Sequence, residues 1–273
     1  MKIKKSLLIT ILVIMCIGLF VSISACGKKS TSTAKETSLE KIKKKGILTV
    51  GLSASTAPYE FHNTKNKIVG ADVLLIKKIA KKLGVKYKIE DIDFDGLLPA
   101  LQAKKVDMIV SAMSPTPERE NSADFSKVYY KSTNVFVTRK EDAAKYNSNY
   151  KLLDQSTVAV LNSSTQQQVV EKYFPNAHLK LLSKSTDLAL AVANGKADAL
   201  LVDMPTAALL EKNNKSLVNT KIKRSDNTTG AAVAMPKNTS KDLKNAVNSV
   251  ITKYKADYAK WVIQEVKYVK SND

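Results

Sequence analysis

The most constraining feature of this chain is the regular alternation of apolar and amphipathic segments after residue 38. Apolar runs such as GILTVGL (46–52) and STVAVL (156–161) are typical of strands that are buried on both faces. ADVLLIKKIAKKLG (71–84) has helical spacing of its apolar residues and ends in glycine. The alternation predicts an α/β fold with helical faces on the sheets. The roughly 235 residues from Leu39 onward are enough for two lobes at ~100–150 residues each.

The first residues have the pattern of an export signal. Three lysines precede an apolar stretch from Leu7 to Val21, and the chain then reads ISAC at 23–26. A basic start, a short apolar centre and small residues before a break predict a signal peptide, 1–25. The ISAC segment resembles a bacterial lipobox, which implies that Cys26 carries the lipid (palmitate) that anchors the protein at the outer face of the cell membrane. An uncleaved anchor helix is the alternative.

The chain is strongly basic, with a formal charge of +19, and removal of residues 1–25 leaves +16. Nucleic-acid binding is not predicted, because the lysines are spread over the predicted helices among acidic residues and no arginine–aromatic cluster is present. The excess charge instead favours a solvated surface beside anionic wall polymers or lipid head groups. Residues 26–38 are polar and predict a flexible tether.

The segment VDMIVSAMSPTPER (106–119) predicts a strand that leads through a polar loop into a helix. Thr116 is the candidate N-cap, Pro117 stands at the first helical position, and Arg119 lies in the first turn. Backbone N–H groups, the hydroxyls of Ser111 and Ser114, and the guanidinium would then point to one spot. Such a spot suits a small carboxylate, which arginine can bind with two hydrogen bonds.

Polar residues also follow the other predicted strands. Ser53 and Thr56 come after the first strand, residues 162–165 after the strand at 156–161, and Asp203 after the strand at 197–202. Open α/β sheets bind ligands beyond the carboxyl ends of their strands. Because each half of the chain has such a set, the sequence predicts a cleft between two lobes.

The order of several motifs resembles one family over residues 39–265: GLSASTAPYEF, IVGADVLLIKKIAKKLG, FDGLLPALQAKKVDMIVSAMSPTPERENSADFSKVYY and KADALLVDMPTA. These motifs are similar to those of the polar amino-acid-binding proteins of ABC importers, bacterial solute-binding protein family 3. The resemblance implies a two-lobed periplasmic-binding-protein-like fold of type II, with two hinge strands and a ligand enclosed between the lobes. It places lobe 1 at 39–131 plus 231–273 and lobe 2 at 132–230.

The resemblance also implies roles for individual residues. Arg119 corresponds to the family's carboxylate-binding arginine, and Ser114 to its hydroxyl partner. The carbonyl of Ala112 and the side chain of Asp203 would bind the ligand's ammonium, and the backbone N–H of Thr165 would bind its carboxylate. A buried zwitterion needs both charges matched, since unpaired buried charges are costly. Asp203 is also a candidate N-cap for the helix that Pro205 opens.

The side-chain end of the predicted pocket is formed by the following residues: Ser53, Thr56, Tyr59, Phe94, Ser111, Leu161 and Val202. Ser53 stands where the family's binders of basic ligands often carry an acid. Leu161 and Val202 stand where the glutamine-binding type has Lys and His, and Thr56 replaces the stacking aromatic of the histidine type. We therefore expect weak glutamine binding and a ligand with an apolar or sulfur-containing side chain, such as cystine.

A basic ligand remains the main rival, because Glu60, Asp93 and Asp95 lie close to the same loops in sequence. These three acids are the candidates for pairing with a cationic side chain.

Other functional classes are weighed against this one. Neither His62 nor His178 has the spacing of a metal site or a catalytic triad, and nucleotide-binding and hydrolase motifs are absent from the sequence. A cyclohexadienyl-dehydratase-like enzyme on the same fold is one alternative. A surface lipoprotein that binds cell wall or matrix is another. We expect a monomer without enzymatic activity, cofactor or metal, whose partners are an ABC permease and its ATPase subunits.

Overall fold

The structure, a computed structural model, describes residues 36–268, with side chains described up to residue 265. Residues 37–268 lie within one compact unit. The predicted signal peptide, the lipidation site Cys26 and the tether up to residue 35 lie outside the described residues. The first helix begins at Ser38, inside the predicted tether, because Thr37 and Glu40 form a capping box at its start.

The described chain contains two five-stranded sheets and one small three-stranded sheet. The strands are β1 Ile47–Leu52, β2 Ser55–Thr56, β3 Glu60–His62, β4 Ile68–Val69, β5 Lys86–Asp91, β6 Met108–Ile109, β7 Ala123–Tyr130, β8 Asn134–Arg139, β9 Thr157–Leu161, β10 His178–Leu182, β11 Ala199–Asp203, β12 Leu217–Arg224 and β13 Ala231–Pro236. The helices are α1 Ser38–Lys45, α2 Ala71–Leu83, α3 Leu97–Gln102, α4 Pro117–Ser122, α5 Ala143–Ser148, α6 Thr165–Tyr173, α7 Ser185–Ala193, α8 Met204–Asn213 and α9 Lys241–Tyr268. The predicted alternation of strands and helices is confirmed.

Sheet 1 has the strand order β5-β1-β6-β13-β7, and sheet 2 has the order β10-β9-β11-β8-β12. In sheet 1, β5, β1 and β6 are parallel, whereas β13 runs antiparallel to β6 and β7. Sheet 2 repeats this plan, with β10, β9 and β11 parallel and β8 antiparallel to its neighbours. In both sheets, the parallel strands therefore end at one edge.

The central strands of each sheet are buried on both faces. In β13, Val233 and Met235 pack with α2 and α9 on one face, while Ala232 and Ala234 pack with α3 on the other. Strand β11 divides its side chains between two further apolar clusters in the same way. The uniformly apolar strand sequences follow from this arrangement, since each fully buried aliphatic side chain contributes about 1.5–3 kcal/mol.

The chain passes between the two sheets twice. It leaves sheet 1 after Tyr130 and enters sheet 2 at Asn134, and it returns between Arg224 and Ala231. The lobe boundaries given by the family resemblance, 39–131 plus 231–273 and 132–230, stay a prediction.

Gly230, at the end of the return crossing, has a positive φ of 119°. A Cβ at this position would overlap the carbonyl oxygen of Tyr130 and lie 2.9 Å from Val128 Cγ1. We expect Gly230→Ala to lower the free energy of unfolding by about 1–3 kcal/mol, measured by chemical denaturation, because backbone strain adds to the overlap. Gly84→Ala is the control, since Gly84 also has positive φ but has open space around it. Equal losses in the two variants would contradict this account.

Two acidic residues near the starts of helices do not cap them. Helix α2 is capped by Gly70, and Asp72 lies in its first turn with a fully buried side chain. Asp95 does not cap α3, because it belongs to a short 3₁₀ turn at Phe94–Gly96 and accepts a hydrogen bond from Asn162 Nδ2 at 2.8 Å. The caps predicted at Thr116 and Asp203 are confirmed, with bonds to the Arg119 and Thr206 backbone N–H groups.

Within residues 36–268, no helix combines the length and the apolar character that crossing a membrane requires.

Candidate functional site

A cavity of about 100 Å³ lies at the edges where the parallel strands of both sheets end. Its walls come from the loops after β1, β6, β9 and β11, as the strand-end rule predicts. Every predicted ligand residue except Ser53 lines it: Arg119, Ser114, Asp203, Thr165, Ala112, Phe94, Thr56, Tyr59, Ser111 and Leu161.

Arg119 is the cation of this cavity, and α4 positions it. Its side chain is 7% exposed, and its Nη1 and Nη2 atoms donate to the carbonyl oxygens of Ser114 (2.6 Å) and Ser163 (2.8 Å). The guanidinium carbon also lies 5.5 Å from the centre of the Phe94 ring. Burial lowers the pKa of Arg119 to about 10, so the group stays charged at neutral pH. The remaining guanidinium donors are available for a carboxylate.

Ala112 lies in the loop after β6 with a left-handed φ of 45°. Its backbone N–H donates to Asp72 Oδ2 at 2.7 Å, which holds this residue in a conformation that costs a non-glycine residue about 1–3 kcal/mol. A fixed left-handed residue in a cavity wall is typical of functional sites.

The start of α6 supplies the wall on the side of sheet 2. Ser164 caps this helix by accepting from the Gln167 N–H at 3.1 Å, and Thr165 is its first residue. The first N–H groups of a helix have no acceptor within the helix, so they favour an anion. The Thr165 hydroxyl donates to Asp226 Oδ2 at 2.8 Å.

Asp203 ends β11 and caps α8. Its Oδ1 accepts from the Tyr59 hydroxyl at 2.7 Å and from the Thr206 N–H at 3.2 Å, and its Oδ2 accepts from the Thr206 hydroxyl at 2.9 Å. Burial raises the pKa of Asp203, while these hydrogen bonds act in the opposite direction. Burial therefore outweighs the hydrogen bonds in its effect on the pKa of Asp203.

Several hydrogen bonds connect the strand-end loops of the two sheets around the cavity. They join Tyr59 to Asp203 (2.7 Å), Thr56 Oγ1 to Ser185 Oγ (3.0 Å), Thr206 Oγ1 to the Ala57 carbonyl (3.1 Å), Arg119 to the Ser163 carbonyl (2.8 Å) and Asn162 to Asp95 (2.8 Å). A small molecule in this cavity is therefore enclosed from both sides.

Two serines do not have the predicted arrangement. Ser53 is 2% exposed and lines a neighbouring groove instead of the cavity. The Ser111 hydroxyl donates to Glu60 Oε1 at 2.7 Å and accepts from the Ser53 N–H at 3.0 Å, so both of these bonds are directed into the protein. Ser114 contributes its carbonyl to Arg119, a contact that the prediction of a hydroxyl partner did not include.

The three acids proposed as partners for a basic ligand do not line the cavity. Glu60 is buried beneath it, Asp93 lines the neighbouring groove, and Asp95 lines a groove beside α4 and α6. Asp226, which the sequence analysis missed, does line the cavity. No local sequence pattern predicts this place, because it follows from the antiparallel pairing of β13 with β6, which makes β13 begin at the edge where β6 ends.

His62 lies in the neighbouring groove with its Nε2 atom 3.1 Å from Asp91 Oδ2. Among the described residues, no group of three histidine, cysteine or acidic side chains is arranged to hold a metal ion.

Two β-sheets of similar topology, each packed against helices, enclose a polar cavity between their strand ends. This arrangement defines a two-lobed binding protein. The chain belongs to the bacterial extracellular solute-binding proteins, family 3, whose family model matches residues 48–265. It is 34% identical over 216 residues to the arginine-binding extracellular protein ArtP of Bacillus subtilis, which covers 78% of each chain.

Solved structures support the same assignment. An amino acid ABC transporter substrate-binding protein from Streptococcus pneumoniae, bound to L-arginine, matches with a TM-score of 0.81 and 32% identity, covering 85% of this chain and 98% of that one. The ancestral amino acid-binding protein AncCDT-1, a precursor of cyclohexadienyl dehydratase, matches with a TM-score of 0.77 and 30% identity, covering 84% and 100%. The predicted two-lobed fold class is confirmed.

Proposed function

We propose that this protein is the amino-acid-binding subunit of an ABC importer, and that it encloses one free amino acid between Arg119 and Asp203. The observation that carries the proposal is that these opposite charges line one cavity from different elements, Arg119 from helix α4 and Asp203 from the end of β11 in sheet 2. A zwitterion matches this pair, because burying either of its charges unpaired would cost more than binding returns.

In this proposal, each end of the ligand has its own partners. The carboxylate lies against the free donors of Arg119 and the first N–H groups of α6, beginning at Thr165. The ammonium lies against the Ala112 carbonyl and the Asp203 carboxylate. Phe94, together with the other apolar residues of the wall, packs against the ligand's side chain.

The charge of the cavity favours a cationic amino acid. Among the described residues, its wall holds two carboxyl groups, Asp203 and Asp226, and one guanidinium, Arg119. A neutral amino acid would leave one negative charge in excess, whereas a cationic one restores the balance. Two relatives support a cationic ligand over the apolar or sulfur-containing one expected from sequence. ArtP is named as an arginine-binding protein, and the pneumococcal structure is bound to L-arginine.

We further propose that the protein performs no chemistry. The cavity contains the charges that a zwitterion needs, and the similarity to AncCDT-1 extends to a protein described as amino acid-binding. The dehydratase alternative is tested directly by incubating the protein with prephenate or arogenate. Turnover above the uncatalysed rate would contradict the proposal.

A screen of the amino acids by thermal unfolding tests the proposed ligand class. A ligand that binds only the native state at 100 times its Kd stabilises it by about 2.7 kcal/mol. For a protein of this size this corresponds to roughly 5–10 °C in Tm, at about 2–4 °C per kcal/mol. We expect arginine or lysine to give the largest shift. Absence of a shift with every amino acid would contradict the proposal.

The proposed location is the outer face of the cell membrane, with the permease and ATPase subunits as partners and a monomer as the working unit. Cys26, in the ISAC segment, is the proposed lipid attachment site.

A wall- or matrix-binding role is the alternative that the net charge suggests. Binding to wall polymers that weakens steeply with salt would favour it.

We expect Cys26→Ser to move the protein from the membrane fraction into the medium, or to leave it as an unprocessed precursor, because no lipid can attach to serine. Fractionation followed by mass measurement of the N-terminal peptide checks this. Wild-type processing and membrane association in the variant would show that another element anchors the protein.

A further inference from the structure

Beneath the Ala112 wall of the cavity, two acidic side chains are enclosed together. Glu60 at the start of β3 is 1% exposed, and Asp72 in the first turn of α2 is 0% exposed. Neither has an assigned role in ligand binding, and Glu60 does not have the place that the sequence predicted for it as the partner of a basic ligand.

Asp72 accepts hydrogen bonds from three other segments. Its Oδ2 accepts from the Ala112 N–H at 2.7 Å and from the Tyr129 hydroxyl at 3.1 Å, and its Oδ1 accepts from the Tyr258 hydroxyl at 2.6 Å. These donors come from the loop after β6, from β7 and from α9. They are the surroundings of an ionised carboxylate, which is a pure acceptor.

Glu60 has the opposite surroundings. Its Oε1 accepts from the Ser111 hydroxyl at 2.7 Å, whereas its Oε2 is enclosed with no donor among the described residues. The consecutive residues Ser111 and Ala112 donate to Glu60 and to Asp72 respectively, so the two carboxyl groups lie against the same loop. Two ionised carboxylates have only acceptors, so a hydrogen bond between these groups requires that one of them carries a proton.

We propose that Glu60 is a protonated acid that donates its proton to Asp72, and that this pair positions the Ala112 carbonyl toward the ligand. The positioning role rests on the proposed amino-acid-binding function, whereas the protonation of Glu60 does not. Asp72 holds Ala112 in its left-handed conformation, and Glu60 holds both Asp72 and the hydroxyl of the preceding Ser111. Glu60 and Asp72 are thus positioning residues that act through the loop after β6.

The charged surroundings agree with this assignment. The titratable groups that act most strongly on the pair are Asp203 and the tyrosines Tyr59, Tyr129 and Tyr258. Burial raises the pKa of Glu60 well above its usual value, and the charge of Asp72 raises it further.

The protonation has a definite consequence for stability. Above its ordinary pKa, the unfolded chain has lost the Glu60 proton while the folded protein retains it. Stability therefore falls as the pH rises toward the folded pKa. A glutamine side chain at position 60 has the shape of the protonated acid and cannot ionise. Glu60→Gln is therefore expected to remove this fall in stability with pH.

Thermal unfolding of the wild type and of Glu60→Gln from about pH 5 to about pH 9 tests the shared proton. We expect the Tm of the variant, relative to wild type, to rise steadily with pH. Asp107→Asn is the matched control, because Asp107 also accepts a backbone N–H bond at 2.7 Å but pairs with Lys45 at 3.0 Å. It should show no such rise. A Glu60→Gln difference that does not change with pH would overturn the proposal.

Calorimetric titration with L-arginine as the probe, at about pH 6, tests the positioning role. We expect Glu60→Ala to weaken binding by about tenfold or more, and Glu60→Gln, which keeps the donor to Asp72, to restore most of the affinity. Equal losses in both variants would overturn the positioning role. The stability experiment uses no ligand, so an error in the proposed ligand leaves its result intact.

Discussion

Arg119→Ala is expected to abolish most of the affinity for the amino acid while the protein stays folded. Removing one partner of a buried charge pair costs about 2–5 kcal/mol, which is roughly 30- to 5,000-fold in Kd. The fold is expected to survive because the two hydrogen bonds lost are made to carbonyl groups of the cavity loops, at Ser114 and Ser163. Titration calorimetry measures the affinity, and circular dichroism checks the fold.

Two further variants sharpen this test. Arg119→Lys keeps the charge but loses the paired donors of the guanidinium, so its affinity should lie between wild type and Arg119→Ala. Arg224→Ala is the matched control, because Arg224 stacks on Tyr150 and is not part of the cavity wall. Wild-type affinity in folded Arg119→Ala would mean that the ligand binds elsewhere.

Asp203→Asn is expected to reduce affinity by a similar factor, because the ligand's ammonium would lose its charged partner. In the ligand-free protein, the same substitution is expected to raise the Tm at neutral pH. The reason is that burial raises the pKa of Asp203 in the folded protein, so the ionisation of this group at neutral pH lowers the stability, whereas asparagine cannot ionise. Affinity and stability are thus expected to change in opposite directions.

Asp198→Asn is the control for this substitution. Asp198 accepts a backbone bond from Thr157 N at 2.8 Å and is not part of the cavity wall, so its change to asparagine should leave the affinity intact. If Asp203→Asn binds arginine as tightly as wild type does, the proposed ammonium site is wrong.

The sequence predicted some strands from their apolar composition and missed others. β1 and β9 were predicted because their residues are continuously apolar, a pattern typical of strands that are buried on both faces. β7 and β12, at the ends of the two sheets, were missed because they alternate buried and exposed residues and contain lysines. Their pairing is set by β13 and β8, which are distant in sequence and therefore invisible to a local pattern.

The position of the cavity could be predicted because parallel strands must end at one edge, whatever their side chains. The directions in which the side chains point could not be predicted from the sequence. Ser53 and Ser111 both follow strands of sheet 1, yet Ser53 lies outside the cavity wall, and Ser111, within the wall, directs its hydroxyl to the buried Glu60. Asp226 was missed for a different reason, because its place at the cavity depends on the antiparallel direction of β13.

The central claim is that the cavity binds both charges of a free amino acid at once. The most direct measurement is calorimetric titration of the wild-type protein with L-arginine, with agmatine, which lacks the carboxylate, and with the arginine analogue that lacks the α-amino group. L-Glutamine, L-cystine and L-leucine complete the series and test the charge of the side chain.

The account predicts that L-arginine binds with a Kd of about 1 μM or tighter and that each analogue binds at least about 30-fold more weakly, since each leaves one charge of the Arg119–Asp203 pair unmatched. It also predicts that glutamine, cystine and leucine bind more weakly than arginine. Binding of agmatine or of the deaminated analogue as tight as that of arginine would contradict the account.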